Sequence, residues 1–322
     1  MGKQTWQATA SMEMLQARAL LYSRIRHFFA CRGVLEVETP LLSHASGSDP
    51  NINPIVSHCG NSGMSDIRPM FLQTSPEFAM KRLLAAGSGP VFQICKAFRD
   101  GEAGSRHNPE FTLLEWYRPG YDHVQLMDEV EALVTGILDM GSIERLAYRD
   151  LFVRYLGIDP HTAPTAELKA LADRHINSVL TTEDRDVWLD LLFSHLVEPQ
   201  LSTACFIYDY PVSQAALARV ETDASGTPVA RRFELVVEGM ELANGYFELT
   251  DPAEQQARFA DDQLVRQQRG LPQYPLDQHF LAALASGLPS CAGVALGLDR
   301  LLMLAEGCKS IQEVLAFPMD RA

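Results

Sequence analysis

The stretch FQICKAFRDGEAGSRHNPEFTLLEWY, Phe92–Tyr117, decides the reading of this chain. Val91–Phe98 and Phe111–Tyr117 alternate as two strands, and the polar segment Arg99–Glu110 joins them. That makes a hairpin whose loop far exceeds the usual ~2–5 residues, and loops of such length tend to carry function. On the second strand Phe111, Leu113, Glu115 and Tyr117 share one face, while Thr112, Leu114 and Trp116 share the other. One face therefore offers an aromatic platform at one end and a carboxylate with a phenol at the other. Arg99 stands where the first strand ends, and Arg106-His107-Asn108 lie in the loop. Such a surface can stack a base, clamp a phosphate and hold a cation in one line. A half-buried hairpin with a solvated polar loop has the same pattern, so alternation alone leaves both readings open.

Outward from the hairpin, residues from Ser11 to about Arg32 show a helical stripe stopped by Gly33. A short strand through Leu35 and Val37 follows and ends at Pro40, then a loop from Ser43 to about Pro54. Ser75-Pro76-Glu77 opens a second helix, with Gly87 just past its end. Residues from about 122 to 200 are mostly helical and connecting. Phe206–Tyr210 and Arg232–Val237 are strand-like, and Glu221–Pro228 reads as a surface turn. Asp251 caps a helix running to about Gly270. Gly293–Leu298 reads as a strand feeding a helix from Asp299 to Glu306. Hairpin-connected strands interrupted by helices predict an α+β fold with an antiparallel sheet flanked by helices. No repeat or linker divides the chain. No GxGxxG or GxxxxGK[ST] segment is present, so neither a Rossmann nor a P-loop nucleotide site is indicated.

Two further segments can carry chemistry. Phe233–Leu249 (FELVVEGMELANGYFEL) holds Glu234, Glu238, Glu241 and Glu248 among mainly apolar neighbours. Carboxylates in such surroundings are costly unless a cation satisfies them. Mg²⁺ bridging to ATP phosphates and a substrate ammonium are both candidates, beside a plain solvated acidic edge. In Gly293–Arg300 (GVALGLDR) small side chains let a ligand approach the backbone, and Arg300 sits near the helix start.

Composition sets the outer bounds. No apolar run reaches the roughly 18–20 residues of a membrane span. The N-terminal MGKQTWQATASMEM has no hydrophobic region of a secretory signal, so the expected location is cytoplasmic, with no membrane contact. The six cysteines form no CxxC or Cys/His pair at zinc-like spacing and read as buried free thiols. A net charge of −14 gives no support to a large nucleic-acid partner, since phosphate binding relies on Lys and Arg.

Taken in order, the segments resemble the three signature motifs of class II aminoacyl-tRNA synthetases, most closely the lysyl branch. GVLEVETP (Gly33–Pro40) resembles the end of motif 1, Phe92–Tyr117 resembles motif 2, and GVALGLDRLLML (Gly293–Leu304) resembles motif 3. RHNPEFT is long and specific, and ELANGYFEL supports it independently. The resemblance implies a single catalytic domain over 1–322, with motif 1 at about 20–40, motif 2 at about 91–117, a connecting region at about 122–200 and motif 3 at about 293–306. It implies a homodimer built on motif 1, with ATP and Mg²⁺ as cofactors. Arg99 and Arg300 are then the catalytic residues, Arg99 on the α-phosphate and Arg300 over the adenine, with Phe111 stacked on its other face. Asp100, Gly101, His107, Asn108, Glu241, Leu242 and Gly297 complete the ATP site, and Glu234 and Glu241 hold Mg²⁺. Glu248 and Tyr117 hold a side-chain ammonium. Ser75, Pro76, Glu77, Glu115, Asn244 and Ala295 line the rest of the amino-acid pocket.

Departures from the family pattern narrow the expectation. The run Arg99-Asp100-Gly101-Glu102 leaves the adenine amino group to the Gly101 backbone or to Glu102. Ala295 stands where lysyl-tRNA synthetases carry Gly, and one methyl group is worth ~1–3 kcal/mol of discrimination in a tight pocket. The motif-1-like segment begins within the first forty residues, which implies no anticodon-binding domain ahead of it and no tRNA acceptor. The pattern is similar to truncated lysyl-synthetase paralogues that ligate (R)-β-lysine to a lysine of elongation factor P. A minimal synthetase using α-lysine and a non-catalytic amino-acid-binding regulator are the alternatives.

Overall fold

A computed structural model describes residues 6–59, 68–176, 180, 182–201 and 203–322. The chain begins with α1 (Met12–Ala30), β1 (Leu35–Glu36), β2 (Leu42–Ser43), β3 (Val56–Cys59), β4 (Arg68–Leu72) and α2 (Glu77–Ala85). The hairpin β5 (Val91–Phe98) and β6 (Glu110–Pro119) follows, then α3 (His123–Leu138), β7 (Glu144–Ala147), α4 (Tyr148–Leu156), α5 (Thr165–His175) and α6 (Arg185–Leu192). The remainder is β8 (Cys205–Tyr210), β9 (Val220–Thr222), β10 (Pro228–Val237), β11 (Met240–Phe247), α7 (Pro252–Gln268), α8 (Gln278–Gly287), β12 (Cys291–Gly297) and α9 (Leu298–Ala305).

Among the described residues the main sheet has nine strands in the order β1-β5-β6-β12-β11-β10-β8-β7, with β9 on β10. Its centre, β5 through β8, is antiparallel as expected, whereas the short edges β1 and β7 pair in parallel with β5 and β8. Each is joined to its parallel neighbour by a crossover that contains helix, α2 between β1 and β5 and α4 to α6 between β7 and β8, which brings the chain back in the same direction. The motif-1 strand is shorter than the sequence predicts, Leu35–Glu36 alone, because Val37 adds one hydrogen bond to Phe92 and Pro40 then ends the run. A smaller sheet, β2-β4-β3, stands beside it.

The two faces of the sheet differ. Leu114 and Trp116 point into a core with Ile25 and Phe29 of α1, Val130 and Val134 of α3, and Leu301 and Leu302 of α9. A second core gathers α4, α5 and α6 over β8 and β10, around Phe152, Leu168, Trp188 and Ile207. The opposite face, over β6, β12, β11 and β10, is an open cleft of about 1290 Å³. Between β10 and β11 the turn residues Glu238 and Gly239 both have positive φ, the twist that a two-residue hairpin needs. Residues 311–319 stitch the chain's ends to the long loop: Ile311 N donates to Ser105 O (2.7 Å), Met319 N to Asn108 Oδ1 (3.0 Å), and Thr9 N to Ala316 O (2.8 Å).

Candidate active site

Strand register explains why distant motifs meet. Glu115 of β6 pairs with Ala295 of β12, Ala295 with Asn244 of β11, and Asn244 with Glu234 of β10. One step along, Tyr117, Gly293, Tyr246 and Arg232 form the next row. Directly paired residues face the same side of a sheet, so each row presents its side chains to the cleft. The segments centred on 115, 234, 244 and 295 thus become one wall. Ser75, Glu77, Arg99, His107, Asn108, Phe111, Leu242, Glu241, Glu248, Gly297 and Arg300 also line the cleft.

Three expected site residues do not line it. Pro76 is the N-cap of α2, where its ring fixes the turn from Ser75 into the helix, so the helix starts one residue later than the sequence pattern suggests. Asp100 and Gly101 form the turn after β5, with Asp100 N bonded to Asn53 O and Gly101 at φ +80°. Of the pair left open for the adenine amino group, Glu102 is the one on the cleft wall.

The loop end of the cleft seeks anions. Arg99 lies 5.1 Å over the Phe111 ring, 3.6 Å from Glu102, and its Nε is buried with no hydrogen-bond partner. Arg300 Nη1 donates to Glu241 O (2.7 Å), and its Nη2 lies 2.7 Å from His107 Nε2. A guanidinium can only donate, so Nε2 accepts and the His107 proton sits on Nδ1. Burial, with Arg300 beside it, holds His107 below the usual histidine range and keeps the ring neutral. Asn108 spends its amide on the fold, donating to Glu110 O (2.6 Å) and accepting from Met319 N.

The other end seeks cations. Tyr117 Oη donates to Glu115 Oε1 (2.7 Å), Ser75 Oγ to Glu115 Oε2 (2.8 Å), and Glu77 N to Ser75 Oγ (3.0 Å). Glu248 Oε1 and Asn244 Oδ1 are buried acceptors without a partner. Burial pushes Glu115 up to about 7, with the Glu77 charge adding to it, and Glu248 up to about 8. Burial raises Tyr117 well above the phenol range, so it remains a donor. Tyr117 and Glu248 fit only because Gly293 lacks a side chain: a Cβ there would lie 2.2 Å from Tyr117 Cε1 and 2.6 Å from Glu248 Oε1. Between the two ends, Arg232 donates to Glu234 Oε1, which also accepts from Asn244 Nδ2 (3.3 Å). Burial still pushes Glu234 up to about 7.

A model of the class II tRNA synthetases (D, K and N) matches residues 4–321. The chain belongs to that family. It is 51% identical over 322 residues to the elongation factor P–(R)-beta-lysine ligase of Salmonella typhi, covering 99% of this chain and 98% of that protein. Proteins of the same name from Salmonella paratyphi B and Salmonella schwarzengrund match with the same identity and coverage.

Among the residues that sequence reasoning missed are one behind the cleft wall and one on it, Lys81 and Arg232. Lys81 is buried between Glu77 and Glu248, and its only trace in the sequence is the spacing of four from Glu77 on a helix. Arg232 pairs with Glu234, and the alternation Arg232-Phe233-Glu234 places both on one face.

Proposed function

We propose that this chain activates (R)-β-lysine with ATP and transfers it to the ε-amino group of a lysine on elongation factor P. One observation carries the reading: the cleft leaves a buried donor unpaired at Arg99 and buried acceptors unpaired at Glu248 and Asn244. Buried polar groups are rarely left so without a ligand to meet them. A molecule that is anionic at one end and a diamine at the other satisfies both sets, as an aminoacyl-adenylate of a lysine-like acid does. The relatives' shared name, at 51% identity over nearly the whole chain, supports the choice of substrate and acceptor. Ala295, paired between Glu115 and Asn244 at the centre of the wall, supports a displaced amino group.

In the first step a substrate carboxylate oxygen attacks the α-phosphorus, the bond to the β-phosphate oxygen breaks, and pyrophosphate leaves. Arg99 meets the charge that builds on the α-phosphate, and Phe111 with Arg300 sandwiches the adenine. Glu102, on the cleft wall beside Arg99, reads the adenine amino group in this proposal. Glu77, Glu115, Tyr117 and Glu248 hold the amines and so fix the carboxylate for in-line attack. In the second step the acceptor amine attacks the acyl carbon, AMP leaves, and the nitrogen sheds a proton to give an amide. No side-chain nucleophile is required.

Glu234 and Glu241 offer oxygen donors only, the set that suits Mg²⁺ shared with ATP phosphates. When bound, Mg²⁺ would neutralise phosphate charge beside these two carboxylates.

The reading takes residues 1–322 as one catalytic unit working as a homodimer, with the exposed β1 edge and Leu20 and Leu35 of the motif-1 region at the interface. It is a cytoplasmic enzyme; among the described residues no helix is long and apolar enough to cross a membrane. The net charge of −14 supports a protein acceptor over tRNA. The test is ATP–pyrophosphate exchange with (R)-β-lysine against α-lysine, followed by mass spectrometry of elongation factor P. A preference for α-lysine with no mass gain on the factor would defeat the proposal.

A further inference from the structure

Lys81 has a chemistry that the adenylation steps above do not use. Its side chain is 1% exposed, and Nζ donates to Glu77 Oε1 at 2.6 Å and lies 2.5 Å from Glu248 Oε2. The rings of Tyr117 and Phe280 stand 6.0 and 5.8 Å from the same nitrogen. Phe280 belongs to α8, so four elements enclose this ammonium: α2, β6, α8 and the residue after β11. The Cys291 thiol of β12 is also within reach of its field. Burial alone would pull the lysine down, but the charges of Glu248 and Glu77 hold it above the ordinary lysine range. It is a fixed cation inside a pocket that must bind cations.

Two consequences follow from that placement. Lys81 engages one oxygen of Glu248 and leaves Oε1 open over Gly293, so it decides which carboxylate face a ligand meets. It also sets the charge. Above about pH 8, where all three are ionised, Glu77, Glu115 and Glu248 bring three negative charges, and one lysine reduces the sum to two. A diamino acid has two ammonium groups, and both remain after its carboxylate has joined the phosphate, whose charge faces Arg99.

We propose that Lys81 is a positioning and charge-setting residue, which orients Glu77 and Glu248 and matches the pocket to a substrate with two ammonium groups. This rests on the diamino-acid reading of the site given above. The groups that face the Lys81 nitrogen and enter its pH behaviour are Glu77, Glu115, Tyr117, Glu248 and Cys291.

The test compares Lys81→Met, close in length but uncharged, with Lys81→Ala and Lys81→Arg, each checked for folding by circular dichroism. Pyrophosphate exchange is measured with (R)-β-lysine and with 6-aminohexanoate, which has one ammonium. Lys81→Met should raise KM for the diamine about tenfold or more and leave KM for ATP unchanged. Its discrimination against 6-aminohexanoate should shrink. The acid limb of kcat/KM should move up by about one pH unit or more, because two carboxylates without their cation share a proton. Lys81→Ala should regain diamine affinity with n-propylammonium but not with 1-propanol, which fills the same space without charge. A wild-type KM and pH profile in Lys81→Met would overturn the proposal, as would equal rescue by the alcohol. Should Lys81→Met fail to fold, Lys81→Arg decides: retention of the wild-type acid limb supports the proposal, and a displaced limb sinks it. Failure of the wild type to activate any diamino acid would strike the functional reading instead.

Discussion

At the loop end of the cleft Arg99, Arg106 and Arg300 carry the positive charge, with neutral His107 among them and Glu102 beside Arg99, reaching in from the β5–β6 loop and the first turn of α9. They stay partly exposed, the Arg99 side chain at 28%, and are steadied by backbone carbonyls of Gly239 and Glu241. At the far end Glu115, Glu248 and Lys81 are almost wholly buried and hold one another. A large, flexible polyanion such as ATP can be gripped by long side chains that adjust. A small diamine must be met by groups already in place, because discrimination between close analogues comes from geometry fixed in advance. The sheet supplies that rigidity, and the loop supplies the adjustable reach.

The contrast can be broken most severely at the loop end. Arg99→Ala should cut pyrophosphate exchange by about a thousandfold or more, the scale for removing a transition-state charge partner, with an unchanged melting temperature. Normal exchange in that variant would remove Arg99 from the chemistry. At the buried end, Glu248→Gln should raise KM for the diamino acid about a hundredfold and leave KM for ATP within a factor of about three. An equal rise in both constants would mean that the ends are not separate.

Acidity offers a finer cut. A carboxylate raised by burial takes up its proton at a higher pH than usual, and loses its negative charge as it does so. With Glu248 at about 8 and Glu115 at about 7, kcat/KM for the diamino acid should fall about tenfold per unit below about pH 8 and approach a hundredfold per unit below about 7, where both carboxylates take up protons. The arginines keep their charge throughout, so at saturating Mg²⁺, which would hold Glu234 deprotonated, KM for ATP should change by less than about threefold from pH 8 to 6. A parallel decline in both would contradict the division.

Two glycines give the smallest test. Gly293→Ala puts a methyl group 2.2 Å from Tyr117 Cε1, so diamine binding should weaken about tenfold. At Gly297 the first neighbour of a new Cβ is Arg300 Cδ at 3.5 Å, an ordinary contact. Gly297→Ala should therefore leave diamine KM unaltered and change ATP KM only a few-fold. Steady-state kinetics on the two variants side by side would show it.

The hairpin, its long loop and the separate faces of β6 were legible in the sequence because strict alternation with a polar interruption has one physical solution. The cap at Asp251 likewise announced α7, where its side chain accepts from Ala253 and Glu254. α8 was not foreseen, since Gln278–Gly287 is short and its pattern of Phe, Leu and Ala also suits a buried strand. The parallel edges β1 and β7 were equally hidden, for pairing direction depends on where a distant strand returns and leaves no local mark. At the site, the motif resemblance supplied groups at both ends of the cleft, but not Lys81. A lysine four places after a glutamate reads as a surface ion pair, and only the arrival of Glu248 from a segment far along the chain buries it. Asp100 and Gly101 were named through their neighbour Arg99, whereas the turn at Gly101 sends Glu102 inward.

The bonds from Ile311 and Met319 to Ser105 and Asn108 bear on how the molecule comes into being. Synthesis runs from the N-terminus, so the β5–β6 loop leaves the ribosome some two hundred residues before the segment that braces it. The nascent chain thus carries its arginines without their support through most of translation. On the function proposed above, the loop can be braced for ATP only once that last segment, which also ties in Thr9, has been made.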